Sequence, residues 1–248
     1  ETTEMKKNRY GLLGKNISYS FSKGYFTEKF KKLELKDHSY ENFDIQTISE
    51  FPNIIQNNRL KGLNVTIPYK EQILSFLDEI DEKAKKIGAV NTIKFAENGL
   101  HGFNTDIFGF EESIKPFLEA HHNKALILGT GGASKAIRFV LEELGITYNY
   151  VSRSSNPTTL NYSLLDKPIL EEHTVIINCT PLGTFPEIQN KPNIPYQYLN
   201  KNHLLFDLVY NPLKTKFLSL GEENGFSVCN GLKMLELQAD KSWESLNS

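Results

Sequence analysis

Several polar side chains stand where hydrophobic packing gives them no reason to be. Ser20-Phe21-Ser22 sets two hydroxyls one residue apart, able to hold a carboxylate by hydrogen bonds or to cap a helix. In Asn64-Val65-Thr66-Ile67-Pro68-Tyr69-Lys70, alternation throws Asn64 and Thr66 to one side of an extended segment. Lys70 follows at a predicted helix start, where the helix dipole disfavours a cation; it is either a solvated charge or one kept for another use. Gly88-Ala89-Val90-Asn91-Thr92 and Gly102-Phe103-Asn104-Thr105-Asp106 each bring an amide, a hydroxyl or a carboxylate to a glycine-containing turn. Asp106 serves equally well as the cap of a helix beginning there.

A second constellation has a more definite chemistry. The apolar run Leu126-Ile127-Leu128 ends in Gly129-Thr130-Gly131-Gly132-Ala133-Ser134, followed by an amphipathic helical pattern. Glycines there let the chain turn tightly and approach a pyrophosphate, whose charge is stabilised by free amides at the helix start. Gly129, Gly131, Gly132 and Ala133 are therefore candidate cofactor residues, and Ser134 is small enough for close packing. At the end of the next predicted strand, an NAD site places an acidic side chain on the ribose hydroxyls. This chain has Ser152-Arg153-Ser154 instead. A carboxylate would repel a 2′-phosphate, whereas the planar fork of Arg153 suits one and the flanking hydroxyls add hydrogen bonds, so NADP is favoured over NAD. No further basic residue follows until Lys167.

The elements that must position these residues alternate in type, which predicts an α/β fold. Strands are expected at Tyr10 to Leu13, Phe43 to Ile48, Leu63 to Val65 and Thr92 to Phe95, with helices over Lys23 to Leu33, Lys70 to Leu77 and Asp81 to Ile87. After Asn104 a second block begins with a helix to about Leu118. Strand Ala125 to Leu128, helix Ala133 to Leu144 and strand Tyr148 to Val151 follow. Strands Val175 to Asn178, Leu204 to Leu208 and Ser227 to Cys229 extend its sheet, with helices near Lys214 to Glu223 and Leu232 to Trp243. The span Ser152 to Glu172 is short and proline-containing for a full crossover, which predicts a reduced or missing helix.

Composition narrows the partners. The 28 basic and 30 acidic residues carry a net charge of only −2 and form no long single-sign block, so nucleic acid is not an expected partner. No apolar run nears the roughly 20 residues of a membrane span, and no export segment stands at the start, so a cytoplasmic protein without membrane contact is expected. Cys179 and Cys229 lack the number and spacing of a disulfide framework or a zinc site and read as buried thiols; no metal is expected.

Taken in order, these stretches resemble the shikimate dehydrogenase family over nearly the whole chain. The resemblance continues through Asn178-Cys179-Thr180-Pro181-Leu182-Gly183, Asp207-Leu208-Val209-Tyr210-Asn211-Pro212 and Gly231-Leu232-Lys233-Met234-Leu235-Glu236-Leu237-Gln238. It implies an N-terminal α/β substrate domain over 1–105, completed by 232–248 through a returning C-terminal helix. A Rossmann-like NADP domain with a mostly parallel sheet is implied over 106–231, with a cleft separating the two. The implied activity is reversible NADPH-dependent reduction of 3-dehydroshikimate to shikimate in chorismate biosynthesis, by a monomer or homodimer. By analogy, Ser20 and Ser22 bind the substrate carboxylate; Asn64, Thr66, Asn91, Asp106 and Gln238 hold the ring hydroxyls; Lys70 and Asp106 form the catalytic pair. Thr180 and Gly231 line the nicotinamide end, with Tyr210 near the substrate. Reducing a ketone leaves an alkoxide, which needs a proton donor and a positive charge, and Lys70 supplies both. The rival readings are an NAD-using quinate/shikimate dehydrogenase and a non-catalytic NADP-binding regulator.

Overall fold

The computed structural model describes residues 6–154 and 156–248. Ser155, within the loop after Arg153, lies outside the described residues. The chain divides into two compact units, 1–105 with 239–248 and 106–238. Among the described residues no helix is long and apolar enough to cross a membrane.

The first unit runs β1 (Asn8–Gly14), α1 (Phe21–Lys32), β2 (His38–Asp44), α2 (Phe51–Asn57), β3 (Leu60–Val65), β4 (Glu79–Ile80), α3 (Glu82–Ile87), β5 (Thr92–Ala96) and β6 (Gly99–Phe103). They form one mixed sheet in the order β2-β1-β3-β5-β6-β4, parallel from β2 to β3 and antiparallel from β3 to β6. Alternation along the strands buries both faces. Tyr10, Leu12 and Tyr40 pack with Phe26 and Phe30 on one side, while Leu13, Leu63, Val65 and Ile93 pack with Phe51 and Ile73 on the other.

Three expectations need correction here. The strand expected at Phe43 to Ile48 stops at Asp44, because Thr47 and Glu50 form a reciprocal capping box that starts a 3-10 turn at Ile48. The helix expected at Lys70 to Leu77 is only a 3-10 turn, Gln72–Phe76, since Asp78 must straighten to donate its N–H to the Leu100 carbonyl at 2.9 Å. Gly102, read as part of a turn, lies inside β6, where a Cβ would sit 2.5 Å from Leu77 Cδ1. Glycine there reflects close packing, not chain reversal.

The second unit runs α4 (Asp106–Ile114), β7 (Lys124–Leu128), α5 (Gly132–Glu143), β8 (Thr147–Ser152), β9 (Thr159–Asn161), α6 (Lys167–Glu172), β10 (Val175–Asn178), β11 (Leu204–Asp207), α7 (Lys216–Glu223), β12 (Ser227–Cys229) and α8 (Leu232–Leu246). The unit boundary falls inside α8, before Ala239. The sheet is wholly parallel in the order β12-β11-β10-β7-β8-β9, so the winding reverses between β7 and β10, as in doubly wound nucleotide-binding folds. Leu126 to Leu128, Val175 to Ile177 and Leu204 to Phe206 are completely buried, as strands covered on both faces must be. Between β8 and β10 the crossover is indeed reduced: β9, one 3-10 turn and the six-residue α6 with Pro168 in its first turn.

Glycines set two helix positions. At Gly109 in α4 a Cβ would lie 2.5 Å from the Met234 carbonyl of α8, so Gly109→Ala should destabilise by about 1–3 kcal/mol through overpacking. At Gly24, exposed in α1 with no neighbour within 4 Å, the same change should stabilise by roughly 0.5–1 kcal/mol. Urea denaturation of the two variants should move the midpoint in opposite directions.

Candidate active site

In the second unit the candidate cofactor residues lie at or after the carboxyl ends of parallel strands. Gly129 comes directly after β7 with φ +100°, a left-handed conformation that favours glycine, and its N–H donates to the Val151 carbonyl at 2.9 Å. Gly131 precedes α5 in extended conformation, and no side chain caps the helix. Ser134 folds back to donate its hydroxyl to the Gly131 carbonyl at 2.5 Å. A Cβ on Gly131 would meet nothing within 4 Å, and the first turn of this 12-residue helix holds no acidic residue. The uncapped amides at Gly132 and Ala133 and the open space at Gly131 fit a pyrophosphate.

At the end of β8 the loop is less generous than its sequence promises. Ser152 Oγ accepts from the Ser154 N–H and donates to the Ser154 carbonyl, both at 3.0 Å, so this hydroxyl is engaged within its own turn. Arg153 is exposed, and its carbonyl accepts from Asn161 Nδ2 at 3.0 Å. Its positive charge partly opposes the upward push that burial exerts on the Tyr162 phenol. Gly231, after β12, is set by a close approach, since a Cβ would collide with the Leu208 carbonyl. Tyr210 is half-buried in the loop after β11.

The residues missed in the sequence lie beneath this edge. Asn178 closes β10 and Asp207 closes β11, and both are fully buried. Burial raises the Asp207 carboxyl to about 6, against the opposing pull of hydrogen bonds from Thr215, Val209 and Asn178. The signal was available: each is the one polar residue ending an apolar run, Val175-Ile176-Ile177 and Leu204-Leu205-Phe206. Cys179, beside them, is no nucleophile, because burial and the Asp207 charge push its thiol far up.

In the first unit the polar residues gather where β1, β2 and β3 end and β5 begins. Ser20 holds the N-cap position of α1 but makes no capping bond, and its buried Oγ has no hydrogen-bond partner among the described residues. That removes the helix-cap reading and leaves a buried hydroxyl suited to a ligand. Ser22 hydrogen-bonds the buried Tyr40 hydroxyl, whose ionisation burial strongly suppresses. Tyr40 in turn donates to Asn64 Oδ1 at 2.8 Å, and Asn64 Nδ2 donates to Ser242 Oγ at 2.6 Å. Asn64 is thus committed to holding its neighbours together. The Val65 N–H donates to the Asn91 carbonyl and the Val90 N–H to the Lys70 carbonyl, both at 2.8 Å, joining the segments that carry Thr66, Lys70 and Asn91. Asn91 is buried; its Oδ1 accepts from the Thr105 N–H at 2.8 Å. Thr66 and Lys70 are half-exposed. In the second unit, Asp106 is the buried first residue of α4, and Gln238 is half-buried on α8 where that helix meets Gly109.

Glu119, His121 and His122 form the single metal-like grouping among the described residues. His122 accepts from the Glu119 N–H at 2.9 Å through Nδ1, while its Nε2 faces the Asn202 carbonyl at 3.0 Å. With the N–H on Nε2, no lone pair on His122 is left for an ion.

A polar strand edge in one unit, with a glycine turn and uncapped helix at the reversal point of a doubly wound sheet in the other, defines a two-unit α/β protein with a dinucleotide-binding half. The family model described as the shikimate dehydrogenase substrate binding domain matches residues 12–93. A shikimate dehydrogenase (NADP(+)) of Clostridium botulinum strain Hall is 38% identical over 240 residues, covering 92% of each chain. The crystal structure of shikimate dehydrogenase 1 from Peptoclostridium difficile is 37% identical with a TM-score of 0.84, covering 97% of this chain and 92% of that one. The Thermus thermophilus shikimate 5-dehydrogenase, solved in complex with NADP(H) and shikimate, is 30% identical with a TM-score of 0.84 over 96% of this chain and 92% of that one. The chain belongs to the shikimate dehydrogenase family.

Asp207 gives this site a pH signature. Burial raises its carboxyl in the folded protein from the ordinary 3.8 to about 6, so its contribution to stability is fully present below the lower value and is lost as pH rises through the upper one. Asp207→Asn, which cannot ionise, should therefore gain on the wild type by up to about 3 kcal/mol between pH 4 and pH 7. Urea unfolding across that range checks it; parallel pH profiles for the two proteins would remove the buried charge from the account.

Proposed function

We propose that the protein is an NADP-dependent shikimate dehydrogenase of the cytoplasm, interconverting 3-dehydroshikimate and shikimate. The observation that carries this reading is the buried, unpartnered Ser20 hydroxyl at the polar strand edge of a chain in this family. Ser20 and Ser22 hold the substrate carboxylate, with Ser22 oriented by Tyr40. Thr66, Asn91, Asp106 and Gln238 hold ring hydroxyls and Tyr210 stands near the substrate, whereas Asn64 serves the site through Tyr40. Gly129 shapes the turn, the amides of Gly131, Gly132 and Ala133 hold the pyrophosphate, Arg153 with Ser152 and Ser154 faces the 2′-phosphate, and Thr180 and Gly231 line the nicotinamide end.

When bound, NADPH supplies the hydride. Lys70 protonates the oxygen that becomes the alcohol and offsets its negative charge as it develops. In the oxidative direction the same group, with Asp106, takes the proton back. Lys70→Ala should lower turnover by about a hundred- to ten-thousandfold while NADPH binding and folding persist, the usual range for losing an acid or base. Unchanged turnover would remove Lys70 from the chemistry.

Growth of the nicotinamide absorbance with shikimate and NADP, and its near absence with NAD or with quinate, tests the function directly. Faster reduction of NAD would favour the broader quinate/shikimate reading, which the internally engaged Ser152 hydroxyl makes worth the comparison. NADPH binding without any turnover would favour a regulator. Arg153→Asp should swing preference toward NAD, since a carboxylate repels the 2′-phosphate and accepts from ribose hydroxyls. Retained NADP affinity in that variant contradicts the role given to Arg153.

A further inference from the structure

A chain of hydrogen bonds in the second unit reaches from a buried carboxylate to the wall of the glycine turn. Asn178 and Asp207 are register partners at the ends of adjacent parallel strands, and both are fully buried. Polar groups so placed are costly unless their partners are complete. Asp207 Oδ1 accepts from Asn178 Nδ2 at 3.1 Å and from the Val209 N–H at 3.0 Å, and Oδ2 accepts from the Thr215 hydroxyl at 2.6 Å.

This sets the orientation of the Asn178 amide. With Nδ2 held by Asp207 and by the Leu182 carbonyl at 3.4 Å, Oδ1 is left to face Thr180. It accepts from the Thr180 N–H at 3.0 Å and from the Thr180 hydroxyl at 2.6 Å. The same hydroxyl accepts from the Leu182 N–H at 3.2 Å. With its oxygen engaged both as donor and as acceptor, Thr180 turns its methyl toward the glycine turn: Cγ2 lies 3.0 Å from where a Cβ on Gly129 would be.

We infer that Asp207 and Asn178 are positioning residues for the dinucleotide site, which hold Thr180 with its hydroxyl inward and its methyl facing the Gly129 turn. The inference rests on the reading of that turn as the NADP site. Rotation of Thr180 about χ1 would put a hydroxyl where the methyl stands, and the network denies it that rotamer. An apolar wall leaves the turn's own amides as the donors that a bound pyrophosphate meets.

The test is NADPH affinity, read by nucleotide fluorescence on folded protein, together with KM for shikimate. Asn178→Leu and Asp207→Leu should each weaken NADPH by about tenfold with shikimate KM held within about twofold. Asp207→Asn keeps an acceptor oxygen for Asn178 and should recover most of the affinity lost in Asp207→Leu. A double-mutant cycle then separates positioning from general damage. Valine presents a methyl in either rotamer, so Asn178→Leu should cost little further affinity when added to Thr180→Val. An equal loss in wild-type and T180V backgrounds would overturn the inference, as would undiminished affinity in N178L. If Asp207→Leu does not fold, the N178L and T180V cycle decides alone, with Asn178→Ser replacing N178L should that fail too. Wild-type protein that does not oxidise shikimate with NADP sinks the functional reading instead; wild-type turnover with unaltered NADPH affinity in the variants sinks only the positioning role.

Discussion

Strands covered on both faces can carry polar side chains only where they end. In the second unit β7, β10 and β11 are apolar between their ends, so hydrogen-bonding groups accumulate where the strands stop and the chain turns outward. Because all strands of this sheet run parallel, those ends lie along one edge, and the winding reversal between β7 and β10 separates the loops that leave them. The glycine turn, the Thr180 loop and the Asp207 network share that edge as a consequence of strand polarity.

The first unit meets the same constraint differently. Its sheet is mixed, so β5 begins where β1 and β3 end, and Asn91 is delivered beside Val65 by an antiparallel partner. The polar edge would be exposed to slippage were it not tied from below. Asn64 supplies that tie, since one amide joins Tyr40 on β2 to Ser242 on the last helix. Gly62 lets this helix approach, because a Cβ there would run into Leu246. The last helix thus fixes β3, the strand that leads into Thr66.

Most of the second unit was legible because apolar runs of fixed length, glycine punctuation and a helical period each have a single good interpretation. Val175 to Asn178 and Ser227 to Cys229 match their strands residue for residue. The first unit was harder wherever a local motif overrode periodicity. Thr47 and Glu50 ended β2 early, and the pairing of Asp78 with Leu100 prevented a helix after Lys70. The residue types of the site could be read, but their division of labour could not. Ser20 and Ser22 look equivalent in sequence; one hydroxyl is buried without a partner and the other is bonded to Tyr40. Asn64 and Thr66 look like a matched pair, yet only Asn64 is consumed by the scaffold.

That division follows from the economy of hydrogen bonding in a buried edge. A side chain whose donors and acceptors are all satisfied by protein can hold geometry but cannot recognise a ligand without first giving something up. Asn64, Asn178 and Asp207 are of this kind, each bonded on every side to neighbours in its own unit. Ser20 is of the opposite kind, and a hydroxyl buried without a partner is tolerated when a ligand completes it. In both units the satisfied groups adjoin residues proposed to bind ligands, and their hydrogen bonds hold those residues in place.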